Sequence, residues 1–173
     1  MKRRALGVTL VELMIVLAVL GVLLGIAVPS FASLIRDNRL ATAANGLLET
    51  LLYARSEAIK RSERVTACVS SDRNTCTGEG AWHHGWIVFV DSDGSGMRES
   101  GELVLKIAAA QVDGMVITGN TNVRRYISYN GEGRTQLTGG GLQMGTVTFC
   151  HQGAGRRLVV NSVGRPRIEG GSC

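Results

Sequence analysis

The sequence lacks the short motifs with which many enzymes bind nucleotides, metals or acyl groups. No P-loop, HExxH, GxSxG or glycine-rich dinucleotide turn occurs in its 173 residues. We therefore expect a chain that is not an enzyme and needs no cofactor. Proline is scarce, with two residues, whereas glycine is abundant, with 23. Beyond the first sixty residues, short apolar runs alternate with Gly, Asn, Asp and Ser, which predicts a small β-rich domain with many turns.

Close cysteine pairs are also missing. None of the four cysteines forms a CxxC motif, which argues against a zinc site. In an exported chain, an even number of cysteines indicates two disulfides formed in an oxidising compartment. We favour Cys68–Cys76, which closes a short loop, and Cys150–Cys173, which ties the C-terminus to an earlier strand. The other two connectivities remain open.

Charge is distributed unevenly along the chain. Residues 62–123 carry four basic and eight acidic side chains, a balance of −4. Residues 124–173 carry seven Arg and two Glu, a balance of +5. This asymmetry predicts a basic surface with an anionic partner, although Arg side chains that are merely scattered and solvated would give the same totals.

The first apolar run is long enough to cross a membrane. Residues 8–28 contain a single charge, Glu12, and as a helix they span about 31 Å, close to the ~30 Å of a hydrocarbon core. The basic residues 2–4 precede the run, which predicts a cytoplasmic N-terminus and an exported C-terminal part. An ordinary secretory signal, cleaved near the sequence SFA at residues 30–32, is the alternative.

Glu12 needs a partner, because a carboxylate inside a bilayer costs at least ~2.5 kcal/mol. Cleavage after Gly7 would create an α-amino group on Val8, four residues before Glu12. That spacing places both groups on one face of a helix, so the carboxylate could pair with its own amine. It could also pair with the amine of a neighbouring copy when helices pack together.

The sequence RRALGVTLVEL at residues 3–13 resembles the class III leader of type IV pilins and type II secretion pseudopilins. Gly7 stands at the cut, Glu12 is the fifth mature residue, and Pro29 matches the helix kink of the family. Val8 departs from the usual Phe. The resemblance implies that a prepilin peptidase cleaves after Gly7 and methylates Val8, and that Glu12 and this helix mediate assembly into a filament.

The apolar pattern predicts that one helix runs over residues 8–61 and bends at Pro29. Its end, LLYARSEAIKR, resembles the corresponding segment of H-type pseudopilins and FimT-like minor pilins, and the later GWIVFVDSDGSGMRESGELVL resembles the H-type pseudopilin pattern. We therefore expect an α+β, type IV pilin-like fold, with the long helix packed on a small antiparallel β-rich domain. The expected segments are a leader (1–7), a transmembrane and filament-core helix (8–30), its amphipathic continuation (31–61) and a periplasmic β-rich pilin domain with a basic tail (62–173).

Eight short segments are predicted as strands from their apolar composition and flanking turn residues. They are 65–69, 86–90, 103–107, 115–118, 124–129, 145–150, 157–160 and a short piece near Arg167.

The loop after the second predicted strand resembles a calcium-binding loop in its spacing. Counted from Asp91, oxygen-bearing residues fall at positions 1, 3, 5, 9 and 12, and Gly falls at position 6. However, β-like runs flank the loop, and Asp, Ser and Gly are also ordinary turn residues. We therefore predict no metal site, and keep as the alternative a calcium site at Asp91, Asp93, Ser95 and Glu102.

The basic tail GRRLVVNSVGRPRIEGGSC contains four Arg that a hairpin would bring together. Arg suits phosphate because its planar fork donates paired, charge-assisted hydrogen bonds. The sequence GRPR also resembles the GRxR motif of FimT-like minor pilins that bind DNA, which implies Arg165 and Arg167 as DNA contacts. Arg156 and Arg157 are added because they are expected to lie nearby.

Three functions fit these resemblances. The first is a FimT-like minor pilin that sits in a pilus or its tip complex and binds double-stranded DNA non-specifically for uptake in natural transformation. The second is a minor pseudopilin of the type II secretion system, and the third is a minor pilin that primes assembly without binding DNA. The expected partners are other major and minor pilins, the prepilin peptidase, DNA, and inner-membrane lipid before assembly into a pilus or pseudopilus.

Overall fold

The computed structural model describes residues 7, 9–78, 81–112 and 114–173. Two compact units are present, Met1–Asp37 and Asn38–Cys173, and helix α1 (Leu10–Arg61) belongs to both. Val8 and the first six leader residues, on which the predicted cleavage and methylation fall, lie outside the described residues.

In the first unit, α1 begins after Thr9, whose hydroxyl accepts a hydrogen bond from the Glu12 N–H at 3.3 Å. A Thr in this position satisfies one of the free N–H groups of the first helical turn. The helix continues through Pro29. All large apolar side chains from Leu10 to Ile35 are exposed. This part of the helix is long and apolar enough to cross a membrane.

In the second unit, α1 buries one face. The buried apolar positions recur three or four residues apart, which is the period of a helix. Four of the seven are Ala, and small side chains allow the helix backbone to lie close to the strands. They are Leu40, Ala43, Ala44, Leu47, Leu51, Ala54 and Ala58.

In the described part of the chain, eight strands form two four-stranded antiparallel sheets, and apolar residues from both sheets share one core with α1. The first sheet has the order β3-β2-β1-β5, and the second has the order β4-β6-β7-β8. The prediction of a long helix packed on an antiparallel domain is confirmed. The strands are β1 (Val65–Val69), β2 (Trp86–Val90), β3 (Val104–Ala108), β4 (Met115–Gly119), β5 (Tyr126–Tyr129), β6 (Gly145–His151), β7 (Ala154–Val160) and β8 (Arg167–Ser172).

The largest difference from the predicted strands concerns β7, which begins at Ala154 and not at residue 157. Gln152 and Gly153 both have positive φ, at 48° and 79°, and join β6 to β7 as a two-residue turn. Such a turn matches the twist of the strands, so pairing continues up to His151 and Ala154. Arg156 and Arg157 therefore both lie inside β7, whereas the predicted strand began at Arg157.

The structure contains the two favoured disulfides. Cys68 of β1 is bonded to Cys76, eight residues further along the chain. Cys150 of β6 is bonded to Cys173, after β8. Gly155 of β7 pairs with Cys150, and a Cβ at Gly155 would lie 2.8 Å from the Ser172 carbonyl carbon. The missing side chain leaves room for the tail to return to β6.

Candidate nucleic-acid interface

Residues 161–166 join β7 to β8 and form what we name the C-terminal loop. Asn161 organises it through both of its oxygen atoms. Its side-chain Oδ1 accepts a hydrogen bond from the Arg165 N–H at 2.9 Å, and its carbonyl oxygen accepts one from the Gly164 N–H at 3.0 Å. The Thr135 hydroxyl donates to the same carbonyl at 2.7 Å. These three bonds fix the backbone that carries Arg165.

Gly164 fastens the C-terminal loop to the turn formed by residues 130–134. It is buried and has a φ of +78°, a conformation that favours glycine. A Cβ at Gly164 would overlap the carbonyl oxygen of Gly133. Gly133 is itself buried, with a φ of +75°. The two backbones therefore touch at a point where both residues lack a side chain.

The 130–134 turn brings a further arginine, Arg134, to the C-terminal loop. Asn130 Oδ1 accepts hydrogen bonds from the N–H groups of Glu132 and Arg134, at 3.2 and 2.9 Å. The side chains of Arg134 and Arg165 are exposed on these two neighbouring segments. Arg134 was not among the residues predicted from sequence, because long-range contacts, of Gly133 with Gly164 and of Thr135 with Asn161, bring it to the loop.

Arg55 of α1 lies beside the 130–134 turn. A Cβ at Gly133 would lie 3.1 Å from Arg55 Nε, which is buried and has no hydrogen-bond partner among the described residues. Burial raises the pKa of the neighbouring Tyr129 hydroxyl, and the Arg55 guanidinium opposes that rise. A third positive charge thus lies beside the turn that carries Arg134.

Two of the predicted arginines lie on the outer face of the second sheet. Arg157 is paired across the strands with Glu169, and Arg167 with Val159. Residues of one face alternate along a strand, so Arg157, Arg167 and Glu169 point to the same side. Arg167 Nε donates to Glu169 Oε1 at 2.7 Å, and its side chain remains 62% exposed. Arg157 donates to the Gly170 carbonyl oxygen.

The expectation that the hairpin gathers all four predicted arginines is wrong for Arg156. It alternates with Arg157 and therefore points to the side of the sheet on which Leu158 is buried. Arg157 shares the face of Arg167, but it lies four residues from Asn161, roughly 13 Å along the strand. The exposed arginines are therefore spread along one end and one face of the domain.

Three acidic residues of the calcium-like sequence pattern form a second cluster, in the loop after β2. Residues 91–103 join β2 to β3, and we name them the acidic loop. Oxygen atoms of Asp91, Asp93 and Glu102 lie within 4.8 Å of one another. Asp91 is fully buried, and its Oδ2 accepts from the Thr66 hydroxyl at 2.6 Å and from the Gly96 N–H at 3.2 Å. Burial raises the pKa of Asp91, although the Thr66 hydrogen bond works in the opposite direction.

Two family models match the chain. Residues 43–164 match the model described as Type II transport protein GspH, and residues 2–28 match the prokaryotic N-terminal methylation motif. The Pilin-like protein PilA1 of Thermus thermophilus is 41% identical over 98 residues, which are 56% of this chain and 54% of PilA1. The chain thus spans about half the length of this curated relative.

Two crystal structures of the type IV minor pilin FimU of Pseudomonas aeruginosa have a similar fold. One superposes with a TM-score of 0.62 at 21% identity, covering 79% of this chain and 94% of FimU. The other gives 0.56 at 20% identity, covering 78% and 97%. The matched models describe structural pilins and not enzymes. Since the GspH model covers more than half of its residues, the chain belongs to the GspH family of type IV pilin-like minor pilins and pseudopilins.

Proposed function

We propose that this chain is a FimT-like minor type IV pilin that binds double-stranded DNA through its C-terminal loop during natural transformation. The observation that carries the proposal is a rigid loop end with exposed guanidinium groups. Asn161 and Gly164 hold the loop backbone, and Arg165 and Arg134 extend into solvent from it and from the turn beneath. Arg167 and Arg157 continue the positive charge along the adjoining sheet face.

This arrangement suits contacts with the DNA backbone better than contacts that read the bases. Phosphates repeat along an extended polyanion, so cations spread over one surface can each meet a different phosphate. Arg165 and Arg167 are the primary contacts, and Arg134 and Arg157 support them. Arg156, on the opposite side of the sheet, is the least favoured of the predicted contacts. Four such contacts predict a slope of about −3.6 for log K against log salt concentration.

The N-terminal unit is the part of the chain that would assemble into a filament. A prepilin peptidase would remove residues 1–7 and methylate Val8, which the match to the methylation motif supports. Residues 8–30 would then anchor the chain in inner-membrane lipid, with the domain of residues 62–173 in the periplasm. On assembly, Glu12 would pair with an N-terminal amine, and the exposed apolar side chains would contact other major and minor pilins.

A mobility-shift assay on the full mature chain in detergent tests DNA binding. We expect the Arg165→Glu/Arg167→Glu variant to retain duplex DNA at least tenfold more weakly than the unaltered chain. The matched control, Arg39→Glu/Arg73→Glu, changes the net charge equally at exposed sites outside the C-terminal loop. Equal retention by both variants would contradict the proposal and favour a priming pilin without DNA binding.

The second candidate, a minor pseudopilin of a type II secretion system, is favoured by the description of the matching family as a type II transport protein. The two candidates differ in the process that stops when the gene is deleted. Loss of DNA uptake with normal protein secretion supports the pilin. Loss of secretion with normal DNA uptake supports the pseudopilin.

A further inference from the structure

We propose that the acidic loop is a calcium site, independent of DNA binding, in which Asp91, Asp93 and Glu102 are the carboxylate ligands. The sequence places these residues at positions 1, 3 and 12 of a twelve-residue loop, with Ser95 at position 5 and Gly96 at position 6. That spacing is the one at which calcium loops supply oxygen ligands and a sharp turn. Here the loop joins two strands and not two helices.

The distances match the size of the ion. Calcium binds oxygen at about 2.4 Å, so two ligands on opposite sides of one ion are at most about 4.8 Å apart. Oxygen atoms of Asp91, Asp93 and Glu102 lie within 4.8 Å of one another. Three carboxylates this close together can share a single ion after small movements of their side chains.

The second, independent observation concerns the burial and the hydrogen bonds of Asp91. Its residue surface is fully buried, and Oδ1 has no hydrogen-bond partner in the part of the chain that the structure describes. A buried carboxylate oxygen without a donor is costly, because it has lost water and gained nothing in return. Oδ2, in contrast, is held by Thr66 and Gly96, so the carboxylate is oriented with one oxygen available.

The backbone of the loop already has the shape that the ligands require. Gly96 has a φ of +74°, and its N–H donates to Asp91 Oδ2. Ser95 N–H donates to Asp93 Oδ1 at 2.9 Å, which orients the second carboxylate. Glu102 accepts from the N–H groups of Ser92 and Glu99, each at 2.9 Å. The loop is thus organised around its acidic side chains.

Hydrogen bonds to β2 and to a neighbouring loop hold the acidic loop in place. The Val90 N–H donates to the Leu103 carbonyl oxygen at 3.0 Å, so Asp91 and Glu102 face each other at the ends of β2 and β3. The guanidinium of Arg98 donates to the carbonyl oxygens of Glu102 and Asn74, which joins the loop to the Cys68–Cys76 loop. An ion at this position would therefore stabilise the edge of the first sheet.

Calcium fits better than magnesium because the site offers three carboxylates on an irregular loop. Calcium accepts six to eight such oxygens with flexible geometry, whereas magnesium demands a near-ideal octahedron and keeps several waters. Exported calcium modules bind with dissociation constants of about 10⁻⁴ to 10⁻³ M, and we expect this range.

Calorimetric titration of the EDTA-treated full mature chain in detergent tests the site. We expect CaCl2 to bind once per chain and to raise the thermal unfolding midpoint, whereas MgCl2 at equal concentration gives less than a tenth of the occupancy. Asp93→Asn should weaken calcium binding at least tenfold because it removes the charge of one ligand. The loop should keep its shape, since Asn retains the oxygen that accepts the Ser95 N–H. Glu102→Gln is a second ligand variant, and Glu63→Gln is the matched control for loss of one exposed acid.

Three results would overturn the proposal. They are the absence of heat from the unaltered chain up to about 5 mM CaCl2, equal responses to calcium and magnesium, and normal calcium binding by both ligand variants. Far-UV circular dichroism of Asp93→Asn and Glu102→Gln confirms that a loss of binding reflects lost ligands and not unfolding. DNA retention is measured on the same samples, and failure of either activity alone leaves the other assignment standing.

Discussion

The C-terminal loop and the acidic loop are built with the same turn chemistry but arrange charge in opposite ways. In each, an Asn or Asp side chain accepts backbone N–H groups, and a glycine adopts a positive φ. The C-terminal loop and the 130–134 turn direct Arg165 and Arg134 outward, where both remain exposed. The acidic loop directs its carboxylates toward one another, within 4.8 Å. Separated cations suit an extended polyanion, and converging anions suit one small cation.

The largest effect should come from Gly164→Val, which breaks the support of the C-terminal loop without removing an arginine. A side chain there would overlap the Gly133 carbonyl oxygen and impose a strained φ, so we expect the unfolding free energy to fall by about 4 kcal/mol or more. Gly139→Ala is the control, because a Cβ there meets nothing within 4 Å among the described residues. Denaturant unfolding of both variants measures the difference, and equal midpoints would refute the role of the contact.

The next largest effects should come from removing the two disulfides one at a time, since each stabilises a different one of the two loops. Cys150→Ser/Cys173→Ser opens a link between residues 23 apart, whereas Cys68→Ser/Cys76→Ser opens one between residues eight apart. Loop-closure entropy predicts losses of about 3.4 and about 2.5 kcal/mol, respectively. The first variant should also weaken DNA retention, because the tail supports β8, whereas the second should weaken calcium binding. Chemical denaturation of the two variants checks the order, and the reverse order would show that chain entropy does not decide it.

A smaller effect is expected from Glu57, a largely buried acid of α1 whose charge is paired with two basic side chains. Its carboxylate accepts from Arg61 Nε at 2.8 Å and lies 3.6 Å from Lys60 Nζ. The hydrogen bond from Arg61 lowers the pKa of Glu57. A lowered pKa stabilises the fold above the unfolded-state pKa, and this contribution is lost as pH falls through the folded-state pKa.

Glu57→Gln should therefore be less stable than the unaltered chain at pH 7, and the difference should shrink as pH falls below about 4. Unfolding midpoints measured at pH 7 and pH 3 test this. Glu63→Gln serves as the control acid. A difference that persists unchanged at pH 3 would show that packing, and not charge, is responsible.

Much of the fold was predictable because it depends on local patterns. The apolar period of α1 and the short apolar runs of β1 and β2 identify these elements directly from the sequence. The start of β7 was missed because Gln152–Gly153 is a less familiar turn than Asn-Gly, although its conformation is the same. The opposite faces of Arg156 and Arg157 follow from strand alternation once that start is known.

The sites were less predictable because they depend on contacts between distant segments. Arg134 reaches the C-terminal loop through the contact of Gly133 with Gly164 and the hydrogen bond from Thr135 to Asn161, neither of which a local pattern signals. The spacing of the acidic loop was visible in the sequence, but the burial of Asp91 was not. Carboxylates are usually exposed, and the sequence does not show that Thr66 and Gly96 bind one oxygen of Asp91 while Oδ1 is left without a partner among the described residues.

The salt dependence of duplex binding tests the central claim most directly, because it counts the phosphates that exposed arginines contact. We predict a slope near −3.6 for the unaltered chain, and a slope smaller in magnitude by about 0.9 for each of Arg165→Ala and Arg134→Ala. Arg73→Ala should leave the slope unchanged. Equal slopes for all three variants would contradict the assignment of the C-terminal loop and the turn beneath it as the DNA-binding surface.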